Sequence, residues 1–188
     1  MIQQIITVLQ QQIEGISMIN LAIVCIWACV LVGIALLVRV RFFGKECSWL
    51  TIIMWFLLTI YICILLFLTL GNRELGSRGS IRWIPFNSLM QANGKPNMVA
   101  WTLAGLNLIL FVPFGTIVSF LQDQTVKKRA FIYISIESFA LSTLIEVTQK
   151  FTKLGYCETE DIILNTLGGM LGWCIAQLIS YLVHRDDD

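Results

Sequence analysis

Charge is what this sequence has least of. Only 13% of its 188 residues are Asp, Glu, Lys or Arg, where soluble domains carry about 25%. A soluble fold needs a polar surface, and this chain has too little to cover one. That excludes a soluble globular enzyme and a disordered chain. Net charge is +1, so nothing attracts the chain to nucleic acid. Histidine is nearly missing: His184 is the single copy. Without a second histidine there is no HExxH pair for a catalytic metal, and no nucleophile elbow or phosphate-binding glycine loop is present. The six cysteines include no CxxC and no Cys/His cluster of zinc spacing. No metal and no cofactor are therefore expected.

What is abundant is apolar residue, 57% of the chain. A helix rises about 1.5 Å per residue, so crossing a bilayer takes roughly 20 apolar residues. Five runs fit: Met18–Val38, Ser48–Leu70, Trp101–Leu121, Ala130–Val147 and Ile162–Val183. The fold class expected is all-α, a polytopic membrane helical bundle. In residues 1–17, Ile2, Ile5, Ile6, Leu9, Ile13 and Ile16 recur at helical spacing among glutamines. This predicts an amphipathic helix along the membrane surface. The chain thus divides into that helix (1–17), two N-terminal spans (18–70), and a C-terminal core (71–188) of a long loop and three spans.

Orientation follows the lysines and arginines. The short loop after span 1 holds Arg39, Arg41 and Lys45, and that after span 3 holds Lys127, Lys128 and Arg129. Both are expected in the cytoplasm, with Arg185 at the C-terminus. The N-terminus and loops 71–100 and 148–161 then lie outside. Loop 71–100 is long and rich in glycine, with an apolar-aromatic stretch, Ile81-Arg82-Trp83-Ile84-Pro85-Phe86. Two placements suit it: the headgroup zone, or a re-entrant dip into the bundle.

Polar residues inside spans are costly and mark function or internal pairing. Span 4 carries Ser135, Ser138, Ser142, Glu146 and Gln149, spaced to lie on one helix face. Span 5 opens with Glu158, Asp161 and Asn165 at similar spacing, then Gly168, Gly169 and Gly172. Gly168 and Gly172 make a GxxxG, a close-approach face that could serve an oligomer. Glu158 and Asp161 have a plain structural alternative as capping residues at the helix start. Span 3 contributes Asn107, and Pro113 is expected to kink it. Spans 3, 4 and 5 share one membrane face at these residues. Asn107, Glu146, Gln149, Glu158, Asp161 and Asn165 therefore converge in depth, and Arg82, Trp83 and Asn87 reach them from the long loop. Such a cluster is either a ligand site or an interhelical hydrogen-bond lock.

The chain resembles the VanZ-like family of bacterial membrane proteins. The resemblance rests on Trp83-Ile84-Pro85-Phe86-Asn87, on Asn107 through Phe111 and Pro113 to Gly115, on Ser142 with Glu146 and Gln149, and on Glu158, Asp161 and Asn165 with Gly168, Gly169 and Gly172. It covers roughly residues 80–183 and implies a link to glycopeptide (teicoplanin) resistance in the bacterial cell membrane. Partners would be membrane lipids, a lipoglycopeptide antibiotic or a lipid-linked cell-wall precursor. Three readings follow: binding of a lipidated amphiphile, an enzyme using Glu146 and Asp161 as acid and base, and a small transporter.

Overall fold

A computed structural model describes residues 18–43, 48–71, 81–82, 84–90, 94–122, 129–152 and 157–185. The amphipathic helix expected over 1–17 lies outside them. Among the described residues there are five long helices: α1 (Met18–Phe43), α2 (Trp49–Leu66), α3 (Met98–Leu121), α4 (Ala130–Phe151) and α5 (Thr159–Arg185). All five are long and apolar enough to cross a membrane, so this is a multi-pass membrane protein. α2 continues through a π-turn, Phe67–Gly71. Two-residue strands β1 (Ile81–Arg82) and β2 (Cys157–Glu158) pair in parallel. A short 3-10 turn covers Asn87–Leu89.

The helices outrun their apolar cores. α3 begins at Met98 because Asn97 caps it, accepting from the Ala100 N–H. α4 runs on to Phe151, four residues past the expected end. α3 is continuous through Pro113. Hydroxyls within the spans turn back on their own helix: Thr59 donates to the Trp55 carbonyl, Thr143 to Phe139 and Thr166 to Ile162. In lipid there is no water to take these groups, so an i−4 carbonyl does.

The centre of the bundle is α3 against α5, with α4 packed on α5. Phe111, Ile134, Ile145 and Leu65 are almost fully buried there. Glycine sets how closely the helices approach. A Cβ on Gly115 would sit 2.0 Å from the Gly169 carbonyl oxygen, and one on Gly172 would sit 2.2 Å from that of Val112. α3 and α5 thus touch backbone to backbone, which only glycine allows at the crossing. The Gly168/Gly172 face is consequently occupied within the chain: a Cβ on Gly168 would meet the Leu108 carbonyl at 2.1 Å. It is not a free face for an oligomer, because α3 already fills it.

α1 is the outlier. None of the residues in its apolar window is buried, and it packs chiefly on α2.

Candidate functional site

The expected stripe on α4 exists, one turn shorter than its spacing suggested. Ser138, Ser142, Glu146 and Gln149 are buried, at 0%, 0%, 2% and 2% exposure. Ser135 shares that helical face but is only half-buried near the start of α4, and it donates to the Phe131 carbonyl.

Each buried member has a different job. Gln149 Nε2 donates to the Thr69 carbonyl at 3.0 Å, tying α4 to the π-turn after α2. Glu146 Oε2 accepts the Glu158 backbone N–H at 2.8 Å, which holds the strand that leads into α5. Ser142 Oγ accepts from Asn165 Nδ2 at 2.8 Å, joining α4 to α5 below that strand. Ser138 lies against Gly169, where a Cβ would come 1.9 Å from its Oγ. The Ser138 hydroxyl and Asn165 Oδ1 are buried without a hydrogen-bond partner among the described residues.

The first turn of α5 adds a carboxylate that the sequence reading did not single out. Glu160 is 7% exposed. Its Oε2 accepts the Phe86 N–H at 2.6 Å, and its Oε1 accepts the Ser88 hydroxyl. These are charge-assisted bonds, about twice as strong as neutral ones. Phe86 sits in the left-handed region, φ 64°, a conformation unusual for a bulky residue. The carboxylate takes the N–H that this turn directs toward α5. Further bonds close the segment: Asn97 N–H donates to the Leu89 carbonyl at 2.7 Å and Asn97 Nδ2 to the Ser88 carbonyl at 3.1 Å. The strand pairing sets Arg82 opposite Glu158. The loop is therefore pinned to the start of α5 by strand pairing and by a carboxylate.

Ligand atoms of Glu158, Glu160 and Asp161 all lie within 4.8 Å of one another, close enough to share one cation. Three carboxylates that close repel unless positive groups compensate, and the N-terminus of α5 is one such group. None of Glu146, Glu158, Asp161 or Lys95 is without a partner.

Not every expected residue joins the cluster. Glu146, Gln149, Glu158, Asp161 and Asn165 gather at one end of the bundle, as the spacing predicts. Asn107 is half-buried on α3 and makes none of these hydrogen bonds. Its turn of α3 carries Leu108, whose carbonyl is pressed against Gly168. Asn87 opens the 3-10 turn with its side chain exposed, since Ser88 is the neighbour directed toward Glu160. The side chains of Arg82 and Trp83 lie outside the described residues. Glu160 was hidden because nothing in its spacing separates it from Glu158 and Asp161 beside it.

A family model described as VanZ/LLP1 matches residues 48–180. No match was found among curated proteins or among solved structures.

Proposed function

The chain belongs to the VanZ/LLP1 family, and from that premise we propose that it is a glycopeptide or cell-envelope resistance factor. It acts by binding a lipidated or lipid-linked amphiphile at the polar end of its bundle, which faces outward in the positive-inside orientation. The observation that carries the reading is the Glu160 clamp. A buried carboxylate holds the segment 84–90, with its Phe86, against the acidic start of α5, so one surface offers both apolar and charged contacts. Ile84 and Phe86 remain exposed on that segment, at 72% and 42%. They suit an acyl or ring surface, while Lys95 and Arg82 suit an anionic headgroup. Sites of this composition orient an amphiphile by a few polar groups and hold it by apolar area.

The test is growth inhibition by teicoplanin and vancomycin, compared in strains carrying the wild type, Glu160→Ala, Glu146→Gln or an empty vector. Membrane levels of the protein are matched. Selective protection against teicoplanin that both variants lose is the expected result. Protection unaffected by either variant would remove the polar end from the mechanism. No protection by the wild type would remove resistance as the function.

A further inference from the structure

The outward face of α4 carries charge that nothing in the chain accounts for. Ser138, Ser142, Ile145 and Gln149 are buried on one face of this helix. Arg129, Tyr133, Glu137, Ala140 and Leu144 recur every three or four residues, which makes them a stripe on roughly the opposite face. All five are exposed. Arg129 stands just before the helix, but Glu137 is seven residues inside it, roughly 10 Å along the axis. It lies within the apolar segment that crosses the membrane, so its carboxyl is turned toward lipid. Ionisable groups at such depth are costly and almost always face the bundle interior or pair with another group. Glu146, on the buried face of the same helix, obeys that rule by accepting the Glu158 N–H. Glu137, Tyr133 and Arg129 have no hydrogen-bond or ion-pair partner among the described residues.

We propose that this stripe is the interface between two copies of the chain, with Glu137 hydrogen-bonded to Tyr133 of the second copy. The bilayer dictates the symmetry. Two copies inserted in one orientation are related by a twofold axis only if it runs along the membrane normal, so the interface is self-complementary. Each stripe then meets its own counterpart at equal depth. A carboxylate facing its own copy repels it unless donors and positive charge are at hand, and the stripe holds both. Tyr133 is one turn from Glu137 toward the start of the helix, the direction in which helical side chains lean. Arg129 is one turn further, so two paired stripes carry two positive and two negative groups. Ala140, on the other side of Glu137, is small enough to let the two helices approach closely. A partner of different sequence must bring its own donor and cation to this depth, whereas a second copy brings them by symmetry. The Gly168/Gly172 face offers no competing interface, since α3 fills it.

The experiment uses the full chain, first in membranes of the expressing cells. The photoreactive residue p-benzoylphenylalanine replaces Ala140, and the membranes are irradiated. The control places it at Leu31, exposed on α1, which packs chiefly on α2. A crosslinked band at twice the mass of the chain is expected from Ala140 and none from Leu31. The chain is then diluted into phospholipid vesicles as fusions to donor and acceptor fluorescent proteins, and energy transfer reports dissociation. Glu137→Leu should weaken the dimer about tenfold, and Tyr133→Phe less. Glu137→Gln should change it little, because the amide oxygen still accepts from Tyr133. All three positions face lipid, so these changes leave the buried core intact. A wild type that is monomeric at every dilution, a crosslink to a band of another mass, an equal band from Leu31, or a dimer that Glu137→Leu leaves unchanged overturns the proposal.

Discussion

Gly169→Ala is the sharpest probe of how this bundle is held together. The added Cβ would sit 1.9 Å from Ser138 Oγ and 2.8 Å from Ser138 Cβ. Turning the serine side chain clears the first clash but not the second. Carbon atoms pack best about 3.5–4.0 Å apart, so α4 and α5 must part by roughly 1 Å. Overpacking of this kind costs about 1–3 kcal/mol. Against it stands a gain of about 1 kcal/mol from replacing a mid-helix glycine. Gly105→Ala makes the control: a Cβ there meets nothing within 4 Å, so only the gain remains. The two variants should differ by about 1–3 kcal/mol, or roughly 2–12 °C at 2–4 °C per kcal/mol for a chain of this size. The assay is thermal unfolding in one detergent, read by the monodisperse fraction on size exclusion. The decisive arm is the double variant Gly169→Ala/Ser138→Gly. With Ser138 trimmed, the next neighbour is Ile134 Cγ2 at 4.0 Å, an ordinary contact. The double variant should then be about 1 kcal/mol more stable than Ser138→Gly alone, a coupling as large as the clash itself. Additive effects, or a Gly169→Ala as stable as Gly105→Ala, would refute the packing argument.

Three further outcomes are expected. Glu160→Ala removes two hydrogen bonds to a charged acceptor, each worth about 1.5–3 kcal/mol. Hydrogen exchange at the Phe86 amide should accelerate at least about tenfold, with Glu160→Gln in between; unchanged exchange would mean that the carboxylate does not hold the loop. Tyr61→Phe loses the bond from its hydroxyl to the Leu110 carbonyl, a link from α2 to α3, and should cost about 1 kcal/mol in the same thermal assay. Ser138→Ala should be neutral or stabilising there, because its buried hydroxyl has no partner to lose.

The five spans and the stripe on α4 were legible in the sequence because each follows from a strong local constraint. Bilayer thickness sets the length of an apolar helix, and helical periodicity puts Ser138, Ser142, Glu146 and Gln149 on one face. The convergence of Glu146, Gln149, Asp161 and Asn165 near one end also followed, since alternating spans must return to the same face. Partnership was not legible. Glu158, Glu160 and Asp161 look equivalent as a short acidic run. Which carboxylate clamps the loop depends on where Phe86 and Ser88 lie after a crossover of more than seventy residues. Gly168 and Gly172 announce a close contact without saying whether it is made within the chain or to another copy; α3 filled it. Asn87 was drawn into the cluster by sequence proximity, but the 3-10 turn directs Ser88 there instead. The solvent dictates composition and period one residue at a time, so the sequence alone determined that this chain crosses the membrane and which faces carry its polar groups. Tertiary structure decided which of those groups meet, because a hydrogen bond needs two groups within about 3 Å, and only the packed helices bring distant residues that close.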